Sequence, residues 1–388
     1  MSDQRRTERT QTDQSRRASA MKGKNGGKLK TGKSKTGKPN TDKPNTDKHG
    51  TSKPNTNKPK TGKHGTGKWI TVPATETPAA EVAYKALSLR LAHVQRMLPL
   101  AAYQHAENLE HVHRLRVGCR RAAAALSAFR PLIGGKVKPL RRWLQRLRDA
   151  AGPAREVDVL LMELEKDVAA GVSRLQYMVD SFQSRREKVQ RRLVRVAERA
   201  QVDSPQGRLQ QAITKCLNSI PADKRTAGKP FGPFATAGLT TSADAMLHLG
   251  EELLPAGNSE FLPDRLPSIE RLHALRIAAK RFRYSIELFH SAFPASLRNT
   301  IYIQIENMQQ RLGLLNDHAT MQQQFQWLMA TSIPEDRVVD LAARIVQQYE
   351  AVLDARLAFM QWWTPERTGM LRMELDQLLS NHNGSKNG

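Results

Sequence analysis

Beyond residue 77 the apolar positions recur every three or four residues, and no run of β-branched residues alternates with period two. That pattern predicts an all-α chain. Candidate helices cover 78–97, 101–130, 138–151, 156–200, 205–218, 237–254, 268–292, 297–315, 318–330, 335–362 and 366–380. Ser268, directly after Pro267, is a natural N-cap. Pro131 and Gly134-Gly135 close the segment before them, and Gly171 is expected to break the long one at 156–200. Pro221–Ala237 carries two Gly/Pro breaks and no periodicity, so it reads as a connector between a first half, 77–220, and a second, 235–380.

Two of these helices share one polar face. His113-Arg-Leu-Arg116-Val-Gly-Cys-Arg120-Arg121 returns 160 positions later as His273-Ala-Leu-Arg276-Ile-Ala-Ala-Lys280-Arg281, followed by Phe282 and Arg283. At about 100° per residue, His273, Arg276, Lys280 and Arg283 fall within an arc of about 80°. Leu275, Ala279, Phe282, Ile286 and Phe289 form the opposite, apolar stripe, as Leu115, Cys119, Ala122, Leu126 and Phe129 do in the first copy. Like charges at these spacings repel by roughly 0.2–0.5 kcal/mol per pair, and ordinary solvated faces mix signs. One such helix would pass as a basic surface; two with matching residue types point to a shared anionic ligand. From His273 to Arg283 the strip is about 15 Å long, which suits a chain of phosphates better than a single one. Arginine forks grip phosphate oxygens in pairs, lysine supplies a compact charge, and a histidine gains its proton beside a polyanion. Arg148 and Arg311, on the segments that follow, extend the strip; Lys136, Lys138, Arg141 and Arg142 are weaker candidates.

Charge divides the chain differently. Residues 1–68 hold 14 Lys and 5 Arg against 5 acids, a net +14 of the total +25, which leaves +11 for residues 69–388. A lysine stands at every fifth position from Lys28 to Lys68, and apolar residues are nearly absent. Such a segment has no core to offset its ordering entropy, so residues 1–76 are expected to form a disordered polycationic tail, with 381–388 disordered at the other end. Polycationic tails bind polyanions, DNA included, without selectivity. No apolar run reaches membrane-spanning length and no secretory signal is expected; the two cysteines make no disulfide framework, so a cytoplasmic location is expected.

The signature helices resemble those of the CHAD family, the conserved-histidine α-helical domain. After each comes a second amphipathic segment ending in a Gly-centred turn with a charged or amide pair: Gly152-Pro-Ala-Arg155-Glu156 and Gly313-Leu-Leu-Asn316-Asp317. The family usually shows Arg-Asp or Asn-Asp there, so Arg155-Glu156 departs while keeping the charge. The resemblance covers roughly residues 80–380. It implies two pseudo-symmetric antiparallel helical bundles with a basic groove or channel that binds inorganic polyphosphate. The site it implies comprises His113, Arg116, Arg120, Arg121, Arg148, His273, Arg276, Lys280, Arg281, Arg283 and Arg311, in a protein that associates with polyphosphate granules.

Two other chemistries fit parts of the sequence. Glu110-x-x-His113 and Glu270-x-x-His273 have the spacing of carboxylate di-metal bundles, although Arg116, Arg120, Arg276 and Lys280 share that face and would repel a cation. A nucleoid or nucleic-acid-binding protein would account for the tail and the overall charge, but base-reading motifs are missing. Catalysis finds no support: there is no phosphate-cradling Gly-Lys-Ser/Thr loop, no nucleophile elbow and no acidic cluster for metal, so a non-enzymatic protein without cofactor is expected.

Overall fold

A computed structural model describes residues 68–133, 135–201, 204–255, 266–331 and 333–384. The expected disordered tail over residues 1–67 lies outside them. The described residues form eleven α-helices linked by short turns, with no strand beyond an isolated bridge between Pro78 and Pro230. Among the described residues no helix is long and apolar enough to cross a membrane.

The first half contributes α1 (Ala79–Tyr103), α2 (Glu110–Ala128), α3 (Lys138–Ala169), α4 (Gln176–Ala200) and α5 (Arg208–Leu217). After the short α6 (Ala222–Ala227), the second half runs through α7 (Phe231–Glu251), α8 (Ile269–Phe289), α9 (Tyr302–Met329), α10 (Glu335–Trp362) and α11 (Pro365–Gly384). From α2 to α5 and from α8 to α11 the element order repeats, and the helix starts are offset by 157 to 164 residues (269 − 110, 302 − 138, 335 − 176, 365 − 208).

Several expected breaks are absent. α3 runs unbroken through Gly152-Pro153, and α9 through Gly313, so neither glycine makes a turn. Continuous buried stripes hold both together, Leu140, Leu144, Leu147, Ala151 and Ala154 in α3, and Ile305, Met308, Leu312 and Leu315 in α9. The break that does occur is at Gly171, whose φ of 101° lies in the left-handed region that glycine tolerates. α1 passes through Pro99 to Tyr103, because Leu98, Ala101 and Ala102 stay buried beyond it. α7 begins inside the expected connector, as Pro233 falls in its first turn, where a missing amide costs no hydrogen bond. Ser268 caps α8, its side chain accepting from the Arg271 amide. α11 continues to Gly384 where a frayed end was expected.

The halves share one core. Phe129 of the first half packs against Phe234 and Phe289 of the second, with ring centroids 5.7 and 5.8 Å apart. A second, smaller core lies where the α3–α4 and α9–α10 hairpins meet, built from Val157, Leu160, Met178, Phe182, Phe325 and Leu341. Residues 69–76, expected to belong to the tail, are instead strapped to the second half. Ile70 is fully buried, its amide donates to the Glu287 carbonyl, and Trp69 packs on Tyr302 and His290.

Candidate polyanion-binding face

α2 and α8 pack against each other within the shared core, each turning its apolar stripe inward. Leu115, Cys119, Ala122, Leu126 and Phe129 are buried, as are Leu275, Ala279, Phe282, Ile286 and Phe289. Burial pushes the Cys119 thiol up to about 12, consistent with an inert core residue. The cationic faces lie at the edge of this core and meet. Lys280 is hemmed in by Arg276 and Arg283 of its own helix and by Arg120 of α2. Burial, reinforced by those guanidiniums and only partly opposed by Asp317, holds its amine down to about 6. Arg276 is lowered chiefly by burial, with Asp317 opposing and Arg120 adding to the depression.

The first copy has the same construction. Burial holds Arg116 down to about 10, with Arg120, Arg148 and Arg155 pressing the same way and Glu156 opposing. The His113 imidazole is also lowered, first by burial and then by Arg155. Gly152 explains how Arg116 fits. A Cβ built there would stand 2.8 Å from an Nη of Arg116, so the guanidinium crosses α3 where there is no side chain. Glycine therefore serves a close approach within a helix.

Cations outnumber acids throughout this region. Glu110 stands 4.0 Å from Arg155, and Glu306 stands 3.8 Å from Arg283. Even so, buried N–H groups of Arg116, Arg155, Arg276 and Arg283 have no hydrogen-bond partner among the described residues. So does Nε of Arg185 on α4, whose guanidinium lies 3.4 Å over the Trp327 ring and feels Glu156. Unmet donors of this kind each cost about 1–3 kcal/mol, more when charged, and an anion would satisfy them.

Not every expected residue joins the strip. Arg121 points the other way: it donates to both oxygens of the fully buried Glu287 at 2.8 and 3.1 Å. Arg90, 2% exposed, lies 3.7 Å from the same carboxylate and donates to the Arg121 carbonyl. Arg121 is thus a structural tie between α2 and α8. Arg281, its counterpart, is exposed on the flank of α8. Arg311 stacks on Trp362 at 5.1 Å and is not among the charges that bear on Arg276 or Lys280. Arg148 is half-exposed, 3.7 Å from Asp149, yet it bears on Arg116. His273 is exposed at the outer end of the strip. Lys138, Arg141 and Arg142 are exposed on α3. Arg155 and Arg185 complete the region, and no periodicity marks them, since their placement depends on how the long hairpins fold back.

Among the described residues no group of three or more His, Cys, Asp or Glu side chains could hold a metal ion. Glu110 faces Arg155, and Glu270 is engaged with Ser268 and its own backbone amide at the start of α8. The donor set does not fit the di-metal alternative.

A family model described as the CHAD domain matches residues 85–326. No curated protein matches the chain. Among solved structures, the CHAD domain from the plant Ricinus communis is similar at 20% identity with a TM-score of 0.54, over 80% of this chain and 95% of that one. PptA from Streptomyces chartreusis is similar at 19% identity with a TM-score of 0.52, over 74% and 99% of the two chains. At these identities the two structures speak for the fold, whereas the family model spans more than half of the sequence and takes in both signature helices. This chain belongs to the CHAD domain family.

Proposed function

We propose that the domain binds inorganic polyphosphate, without catalysis, along the facing cationic strips of α2 and α8, and that this binding brings the protein to polyphosphate granules. The observation that carries the reading is the cluster of buried arginine donors without partners around a lysine whose amine is held down to about 6. A folded protein that keeps such a cluster pays in stability, and a chain of phosphates would supply the missing acceptors and counter-charge together. DNA presents phosphates as well, but its strands are held at duplex spacing, whereas a single flexible chain can follow a strip about 15 Å long.

The test is a titration of the full chain with long polyphosphate. Arg116→Ala combined with Arg276→Ala removes one buried donor set from each strip. Charge-assisted hydrogen bonds are worth about 1.5–3 kcal/mol each, so the pair should weaken binding about a hundredfold or more. Arg191→Ala with Arg195→Ala removes the same charge from exposed positions of α4 and should cost less than about fivefold. Equal losses would mean that bulk charge alone attracts the polymer, and the reading would fail. Adding DNA as competitor decides the nucleic-acid alternative: displacement of polyphosphate from the strips at equal phosphate concentration would favour it.

A further inference from the structure

The two strips differ at their outer ends. Glu156 offsets the charge of Arg116 as Asp317 offsets that of Arg276, so the Gly-x-x-Arg155-Glu156 and Gly-x-x-Asn316-Asp317 segments are equivalent in space as well as in sequence. In the first half the long Arg155 side chain fills the place beside His113 and reaches Glu110 at 4.0 Å. Asn316, whose side chain ends two bonds beyond Cβ, cannot do the same. A cleft of about 330 Å³ opens there instead, between the start of α8 and the middle of α9.

Its lining is unlike the rest of the strip. Half-buried Arg276 and exposed His273 line it together with the buried leucines Leu312 and Leu315, and Asn316 offers an amide with both a donor and an acceptor. Ile269 adds an exposed apolar wall. A wholly anionic chain gains nothing from leucine and isoleucine. The exposed carboxylate of Glu270, which keeps lone pairs beyond those engaged with Ser268 and its own backbone amide, is a poor neighbour for phosphate and a good acceptor for sugar hydroxyls. Cations for phosphate, a carboxylate for hydroxyls, and apolar walls with an amide edge for a flat heterocycle together describe one kind of ligand, and the volume lies within the range of small-molecule sites.

We propose that this cleft holds the nucleoside of a nucleoside oligophosphate, whose phosphates run from Arg276 towards Lys280 along the strip. The inference rests on the phosphate-binding reading of that strip and adds an organic end to its ligand. The first half, plugged by Arg155, takes phosphate only.

The experiment compares ATP with inorganic tripolyphosphate by calorimetry on the full chain in the presence of a chelator. Both carry three phosphates, and tripolyphosphate has the higher charge, so bulk electrostatics favours it. The expected result is the reverse, with ATP binding about tenfold more tightly through burial of its base. Asn316→Arg rebuilds the first-half plug. It should remove most of the ATP preference while leaving tripolyphosphate affinity unchanged or raised. Glu270→Gln is a second, milder variant on an exposed side chain; it should weaken ATP severalfold and leave tripolyphosphate unchanged or tighter. Tripolyphosphate binding as tightly as ATP to the unaltered protein would overturn this inference alone. An ATP preference that survives Asn316→Arg, or equal shifts for both ligands in Glu270→Gln, would do the same by locating the base elsewhere. If neither ligand nor long polyphosphate binds, the reading of the strip falls and this inference falls with it.

Discussion

The signature helices α2 and α8 are near copies in sequence, yet they perform different tasks at equivalent positions. Arg121 and Arg281 both follow the last cation of the motif. Arg121 is drawn into the core by Glu287, while Arg281 stays in solvent. Lys280 and Arg120 likewise share a position but differ in the cation they present, a compact ammonium against a planar guanidinium. A duplicated motif thus fixes where side chains start, and the neighbouring helices decide what each one does.

The largest effect expected from breaking this asymmetry is at Glu287. Glu287→Gln leaves Arg90 and Arg121 without their carboxylate, and loss of one partner from a buried ion cluster typically costs about 3–5 kcal/mol. Arg281→Ala on the equivalent flank should stay within about 0.5 kcal/mol. Denaturant melts of the two variants check this, and a cost below about 1 kcal/mol for Glu287→Gln would remove the structural role given to Arg121.

Next in size is the pH response of Lys280. Its native amine is held down to about 6, whereas in an unfolded chain it titrates near its ordinary value of about 10.4. Between these values the unfolded state holds the extra proton, so stability of the free protein rises with pH through that window. A polyanion restores the proton, so polyphosphate binding at pH 7 should take up protons, and affinity should fall as pH rises from 6 to 8. Arg276, Arg120, Arg283 and Asp317 face the amine, and the His113 imidazole on the other strip, held down by burial, titrates in the same direction. Lys280→Arg copies the first half and cannot release its proton. It should flatten the pH dependence of binding and make the free protein less stable at pH 8. A pH profile unchanged by this substitution would mean that Lys280 does not titrate in the binding range.

The smallest effects compare the two glycines. Gly313→Ala meets no atom within 4 Å and should stabilise the protein by about 0.5–1 kcal/mol, the usual helix-interior preference for alanine. Gly152→Ala gains the same helical preference but places its Cβ against the Arg116 guanidinium, which must move. The first should leave polyphosphate affinity untouched, and the second should weaken it severalfold. Equal effects of both on binding would deny Arg116 its fixed place across α3.

The sequence by itself determined the helical class, the apolar stripes of α2 and α8, the cap at Ser268 and the clustering of His113, Arg116, Arg120, His273, Arg276, Lys280 and Arg283 on two faces. Each of these follows from spacing along one helix, and helical periodicity is a local property. The tertiary structure decided everything that depends on contact between helices. It carried α3 and α9 through glycines that read as breaks, because buried stripes on either side outweigh the helix cost of a single glycine, about 1 kcal/mol. It turned Arg121 inward to a carboxylate 166 residues away, brought Arg155 and Arg185 to the strip, and opened a cleft beside Asn316 where its counterpart fills the space. A pattern along one helix shows which residues share a face. Which face meets which, and what charge stands opposite, is settled only when distant segments pack.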